Sequence, residues 1–214
     1  MPRRVDDYRG LTQISRLKLL RALQAKPGLT LSELVEITKL HPNTAREHLH
    51  VLEDEGLVVE STLHRGGRGR PPVVYSPVTQ AVESEVAQKR LRRAQEHGDL
   101  LRRVAPDLDR TAELGEAGVH QLDALYEHLD DAGLQPDVHA DTLTLDLVPC
   151  PYHTVVAEDR ALVCAVHSQL IQDVLAQVPG PVEFDELRPF TTPHSCALVL
   201  RSRADARPAE DCSN

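Results

Sequence analysis

The sequence predicts an α+β chain in two units joined by a charged helix, and three observations predict it. Helical periodicities in the first 56 residues give way to two β-prone runs around a Gly/Arg tip. A long charged stretch of helical character follows. Beyond it, helical and strand patterns alternate again and carry all four cysteines, Cys150, Cys164, Cys196 and Cys212. A length of 214 residues accommodates one or two domains. Aromatic residues make up 3% of the chain and Trp is absent, so the cores must be built from Leu, Val, Ala and Ile.

The first unit reads as three helices and a hairpin. Leu11, Ile14, Leu17, Leu20 and Leu23 recur at threes and form one apolar stripe, ended by Lys26-Pro27-Gly28. Thr30 with Glu33 makes a Thr-x-x-Glu capping box that opens a second helix bearing Leu34 and Val35. After a break at Leu40-His41, Pro42 suits the first position of a third helix, where its missing N–H has no intrahelical partner to lose. Ala45, Leu49 and Leu52 share the inward face of that helix, and Gly56 stops it. Leu57 to Leu63 and Pro72 to Val78 then form a β-hairpin.

Residues from about Thr79 to Val104 form a weakly amphipathic helix, read as a connector or dimerisation helix. A further helix carries Leu122, Leu125, Tyr126 and Leu129 up to a stop at Gly133. Thr142 to Leu147 alternates as a half-buried strand and runs into Pro149-Cys150-Pro151. Leu162, Val166, Leu170 and Val174 line a helix from about Asp159 to Gln177, and strands near Val182–Leu187 and Cys196–Arg201 complete a small α+β unit. The predicted division is therefore 1–78, a connector over 79–110, a cysteine-containing unit over 111–203, and a polar, disordered tail over 204–214.

Charge separates the units. Through Arg110 there are 19 Lys+Arg against 15 Asp+Glu; from Thr111 onward there are 5 against 18. The formal net charge of -9 therefore hides a basic front, and a basic front is where an anionic polymer would bind. No run approaches the roughly 18 apolar residues of a membrane helix, and the first residues lack a signal-peptide core. The expectation is a soluble cytoplasmic protein with no membrane partner.

Two short helices, a tight turn, a third helix and a hairpin make the element order of a winged helix-turn-helix. On the third helix Asn43, Arg46, Glu47 and His50 fall at i, i+3, i+4, i+7, with His41 and Thr44 beside them. Arg suits guanine and Asn suits adenine in a major groove. Arg65, Arg68 and Arg70 alternate with glycines at the hairpin tip, a cationic loop able to meet phosphates or a minor groove. The plain alternatives are a solvated helix face and a solvated loop. The stretch HPNTAREHLHVLEDEGLVVESTLHRGGRGRPPVVYSP, with its His-Leu-x-x-Leu-Glu-x-x-Gly-Leu-Val core, resembles the recognition helix and wing of ArsR-like winged helix regulators. The resemblance covers about residues 10–78 and implies double-stranded DNA as partner, a homodimer, and half-sites about one helical turn apart. One departure is His41 at the N-cap, where these families usually carry Ser or Thr.

Cys150 stands between two prolines at a strand end, Cys164 lies one helical turn before His167, and Cys196 opens the last strand. Thirteen and thirty-one residues intervene, unlike the Cys-x-x-Cys knuckles of structural zinc. Spacing alone leaves packing cysteines and metal ligands both open. LVPCPYHTVVAEDRALVCAVHSQLIQ followed by PVEFDELRPFTTPHSCALVL resembles the output unit of SufR-type regulators, winged helix repressors of iron–sulfur cluster assembly. That resemblance implies an iron–sulfur cluster of 2Fe–2S or 4Fe–4S type on Cys150, Cys164 and Cys196, acting on operator affinity. A fourth ligand would come from His167, His153, His194, Glu158 or Asp159, with Cys212 a long reach. The competing readings are Zn²⁺ on the same cysteines plus one histidine, a small-molecule effector, and a thiol enzyme using Cys164 with His167 as base. No P-loop, dinucleotide glycine motif or His-Glu-x-x-His is present, and no catalytic centre is expected.

Overall fold

A computed structural model describes residues 11–63, 71–104, 114–139, 142–148, 153–192 and 195–203, with the backbone alone at 99–104, 135, 153 and 154. The chain is α+β, a helix-turn-helix unit followed by helices and a C-terminal sheet.

The front unit contains α1 (Ile14–Ala25), β1 (Leu29–Thr30), α2 (Leu31–Thr38), α3 (Pro42–Asp54), β2 (Val58–Thr62) and β3 (Val73–Pro77). The Thr30–Glu33 capping box forms as the sequence requires: Thr30 Oγ1 accepts from the Glu33 N–H, and the Glu33 carboxylate accepts from the Thr30 N–H at 2.8 Å. Pro42 occupies the first turn of α3. Gly56 turns α3 into β2 at φ 68°, and an added Cβ there would stand 2.7 Å from that of Val86. Two reasons therefore demand glycine, the left-handed backbone and the close approach. The strands order β1-β3-β2, all antiparallel, and Leu63 N–H still donates to Pro72 O at the root of the hairpin tip. The two-residue β1 has no sequence signal of its own; it exists because Leu29 and Thr30 pair with Tyr75 and Val74.

A single 3-10 turn over Ala81–Glu83 precedes α4 (Glu85–Val104), so the helix expected from Thr79 begins six residues later. Thr79 and Gln80 instead donate their N–H groups to the Glu83 carboxylate. The rear unit contains α5 (Gly115–Asp131), β4 (Gln135–His139), β5 (Thr144–Val148), α6 (His153–Glu158), α7 (Arg160–Gln177), β6 (Val182–Thr192) and β7 (Ser195–Ser202). Its four strands order β4-β5-β7-β6, again antiparallel. The register pairs Leu147 with Cys196 and Leu145 with Leu198, which puts these side chains on one face with Leu187, toward α5 and α7. Strand β4 and helix α6 were not expected from the sequence. The tail over 204–214 lies outside the described residues.

One apolar cluster runs through both units, from Leu17, Leu20 and Leu49 to Leu125, Val166, Ile171 and Leu198. Helix α1 explains it. Leu19 and Arg16 are buried beside the expected Leu17–Leu20–Leu23 stripe, so a wide arc of α1 is covered, by α3 and α2 on one side and by α7 on the other.

Candidate nucleic-acid interface and thiol cavity

Helix α3 divides by chemistry. Ala45, Leu49 and Leu52 are buried, while His41, Asn43, Arg46, Glu47 and His50 are exposed and Thr44 is half-buried. Hence all six predicted α3 residues lie on or beside one polar face. His41 caps the helix with its ring: Nδ1 accepts from the Asn43 N–H at 3.3 Å. The departure from Ser or Thr thus keeps the capping bond. Arg46 Nη1 donates to Asn43 Oδ1 at 3.3 Å, and His50 Nδ1 stands 3.8 Å from Glu53. These weak exposed contacts leave both groups exchangeable for base or phosphate partners. Behind the face, burial and the Arg16 guanidinium lower the pKa of His48. Burial and the Glu60 carboxylate raise that of Tyr75, which pairs with Glu60 across the hairpin. Arg65, Arg68 and Arg70 lie outside the described residues.

The rear unit brings two of the three predicted cysteines to one place. Cys164 of α7 and Cys196 of β7, both thiols, line a cavity of about 30 Å³ together with His167. Leu134, Leu147, Val156, Val163 and Leu187 make much of the rest of its wall. Pro189 and Phe190 complete it from a bulge of β6 where the register with β7 shifts. Phe190 is held at φ 57°, a strained value for an aromatic residue, and the Arg160 guanidinium sits 5.2 Å from its ring centroid. Cys150 and His194 lie outside the described residues, as does Cys212, and the side chain of His153 is not described. Glu158 is exposed at the end of α6, and Asp159 caps α7 by accepting from the Leu162 N–H at 3.0 Å. Of the described fourth-ligand candidates, then, His167 is the one on the cavity wall.

His167 also faces a second cavity, of about 10 Å³, with His128, Leu11, Leu129, Ala132, Leu134, Leu170 and Ile171. Burial pushes the pKa of His167 down to about 4. Burial and then the Arg90 guanidinium push that of His128 down to about 3. Both imidazoles are therefore neutral at physiological pH, the form in which histidine binds a metal. A base held near 4 is a poor acceptor for a thiol proton, which weakens the thiol-enzyme reading. Sequence reasoning missed His128; its signal was a histidine on the buried stripe side of α5, one residue before Leu129.

The donors fit a thiolate-bound centre in kind: two thiols and a neutral imidazole in an apolar shell. In size the cavity takes a water or two, or a single ion, before a wall must move. Among the described residues no group of three or more His, Cys, Asp and Glu side chains is placed so as to hold a metal ion. Also among them, no helix is long and apolar enough to cross a membrane.

Helix α4 is fastened to α5 by charge. Arg90 Nε donates to Asp131 at 2.9 Å, Arg93 Nη2 reaches both Asp131 oxygens at 2.8 Å, Arg93 Nε meets Glu127 at 3.1 Å, and His97 Nδ1 meets Glu127 at 2.7 Å.

Residues 12–61 match the helix-turn-helix domain family. The front unit thus carries a helix-turn-helix domain, which suggests a DNA-binding transcription regulator. No curated protein and no solved structure matches the chain.

Proposed function

From a helix-turn-helix domain at residues 12–61, we propose that the chain is a homodimeric transcription regulator, a repressor of the SufR type, whose operator affinity is set by an iron–sulfur cluster on Cys150, Cys164 and Cys196. His167 is the fourth donor in this reading. The observation that carries it is the meeting of Cys164 and Cys196, from separate elements, with a neutral imidazole on one apolar cavity wall. The exposed array of Asn43, Arg46, Glu47 and His50 reads base edges, His41 and Thr44 sit beside it, and Arg65, Arg68 and Arg70 on the wing take phosphates or the minor groove.

A bound cluster would supply redox-sensitive bonding that is lost or altered by oxidants. The residues of the chain do the rest. Cys164 and Cys196 present sulfur from α7 and β7, so a shared centre ties helix to sheet. Leu147, Val163 and Leu187 line the cavity beside the half-buried Cys164 and Cys196. Helix α4, clamped to α5 by Arg90 and Arg93, carries the state of the rear unit toward the half-site spacing of the dimer.

Protein purified without oxygen is expected to be brown, with iron and acid-labile sulfide, and to lose both on Cys164→Ala or Cys196→Ala. Colourless protein free of both overturns the cluster. A second reading is favoured by the cavity's volume, which suits one ion: Zn²⁺ on the same donors. Stoichiometric zinc in the colourless protein, lost with the same two substitutions, selects it.

A further inference from the structure

The two edges of the rear sheet differ. Strand β6 is one edge, but its register with β7 shifts between Phe184 and Glu186 and again between Arg188 and Thr192. Asp185, Glu186 and Arg188 stand exposed along it. Irregularities and charges of that kind keep an edge from pairing with another chain. Strand β4 is the other edge, and its pairing with β5 runs unbroken from Gln135 to His139. Val138 on this edge is 44% exposed, and Tyr126 is exposed on α5, the helix that packs against β4.

One bond fixes which backbone groups of β4 face outward. The Leu200 N–H donates to the Leu143 carbonyl at 2.9 Å, so Leu143, Leu145 and Leu147 turn their backbone groups toward β7. Thr144, Asp146 and Val148 turn theirs toward β4, where they meet His139, Asp137 and Gln135. Pro136 and Val138 are left facing away from the sheet. Proline, with no N–H to donate, loses nothing in that position. Among the described residues of β4, Val138 therefore carries the one outward N–H. On the sheet face away from the helices, Asp137 lies directly opposite Asp146, a like-charged pair, and His139 Nε2 stands 3.1 Å from Asp146 Oδ2.

We infer that the free edge of β4 docks a second copy of this chain, antiparallel and about a two-fold axis at Val138, so that two four-stranded sheets join into one. The inference rests on the homodimer of the proposed function and adds its interface. The outward residues of β4 can meet in three symmetric registers. Pro136 against Pro136 has no N–H to donate. Pro136 against Val138 leaves each pair one bond short and sets Asp137 against Asp137 of the second copy. Val138 against Val138 exchanges both N–H···O=C bonds and sets each Asp137 beside His139 of the second copy, in the closer kind of cross-strand pair. Of the three, this register alone satisfies both hydrogen bonding and charge. The exposed Val138 side chains then cover one another. Because the same edge is used by both copies and the remaining edge is the irregular β6, the assembly closes at two. Helix α4 is fastened to α5, and α5 packs against β4, so the interface adjoins the route already proposed toward the half-site spacing.

Light scattering of the full chain over a dilution series provides the test, with the wild type expected at twice the chain mass of 23.7 kDa. Val138→Pro removes the outward N–H and leaves the bonds from β4 to β5 in place. It is expected to weaken the dimer roughly tenfold or more with an unchanged circular dichroism spectrum. Asp137→Lys relieves the repulsion from Asp146 within the chain but sets a cation against His139 of the second copy, so it should weaken the dimer with the fold intact. Combining Asp137→Lys with His139→Glu should restore it. In air, Val138→Cys is expected to link to its own copy, seen as a peptide joined through position 138 at both ends. If Val138→Pro fails to fold, Asp137→Lys decides. Variants that dimerise as tightly as the wild type, or Val138→Cys chains joined only through native cysteines, overturn the interface. Wild type that is monomeric at concentrations where it binds DNA overturns the homodimer of the proposed function itself, a distinct result.

Discussion

Two pairs of histidines, one pair in each half of the molecule, sit in opposite surroundings. On α3, His41 and His50 stand in solvent with weak local partners, an Asn43 N–H at 3.3 Å and a Glu53 carboxylate at 3.8 Å. In the rear unit, His128 is 5% exposed and is pushed down to about 3, and His167 down to about 4. One pair of arginines shows the same contrast: Arg46 of α3 lies on the surface, whereas Arg90 of α4 is 4% exposed and held by Asp131. The polar face of α3 displays groups that cost little to re-partner. The rear encloses groups whose protonation and position are set by what surrounds them. The two sets of groups thus differ less in residue type than in solvent.

The sharpest way to break this contrast is to leave a rear charge alone. Asp131→Ala strips the carboxylate from Arg90 and Arg93 and strands a guanidinium that has almost no water. Removing one partner of a buried pair costs about 3–5 kcal/mol. Urea unfolding is expected to show a loss of that order, while the matched front change, Arg46→Ala, leaves stability within about 0.5 kcal/mol. Equal, small losses from both would mean that the rear ion pair is as solvated as the front.

For Arg46 the effect moves to binding. If it reads a base, Arg46→Ala lowers specific affinity by about 1–3 kcal/mol and relaxes selection at one position of the site. A uniform loss over all sequences, with a shallower salt dependence, would make Arg46 a phosphate contact instead. Selection from a random pool with each protein separates these results.

The contrast also explains what was legible in the sequence. The front unit is specified by short-range chemistry: Thr30 with Glu33, Pro42 at a helix start, Gly56 at a turn, and a three-four stripe. Each acts within four residues, and each appears where the sequence places it. The polar face of α3 was readable for the same reason. The rear site is assembled by sheet register and helix docking. Leu147 opposite Cys196, Phe190 at a bulge and His128 against His167 are long-range outcomes that no local pattern announces. Likewise β1 and β4 exist through pairing alone. The breadth of the covered arc of α1 left one trace, Leu19 and Arg16 off the expected stripe; both are buried, and Arg16 acts on His48 of α3.

Titration sharpens the contrast next. Above about pH 6.5 the His128 imidazole is neutral in folded and unfolded chains alike and contributes no pH dependence. As pH falls from 6.5 toward 3 the unfolded chain takes up a proton that the folded one refuses, so stability drops, by at most about 1.4 kcal/mol per pH unit from this group. Asp131 acts in a lower window. Burial would raise its carboxyl, but Arg90 and Arg93 outweigh burial and hold it below 3.8, so its contribution is present above that value and lost only in stronger acid. Urea midpoints of the metal-free protein between pH 7 and 5 should therefore fall in the wild type and fall less in His128→Gln. Parallel curves would show His128 to be solvated.

The smallest effect tests the exposed side. The imidazole of His41 caps α3 by a 3.3 Å bond, longer than a good N–H···O contact, and Ser is among the preferred capping residues. His41→Ser should therefore raise stability by about 0.5–1 kcal/mol, or about 1–4 °C in melting temperature for a chain of this size. Its effect on DNA is expected to be opposite in sign, because the exposed ring lies beside Asn43 at the leading end of the reading face. A more stable protein that binds DNA less tightly makes His41 a contact that serves also as a cap. If affinity is unchanged while the melting temperature rises, His41 is a cap alone, and the reading face begins at Asn43.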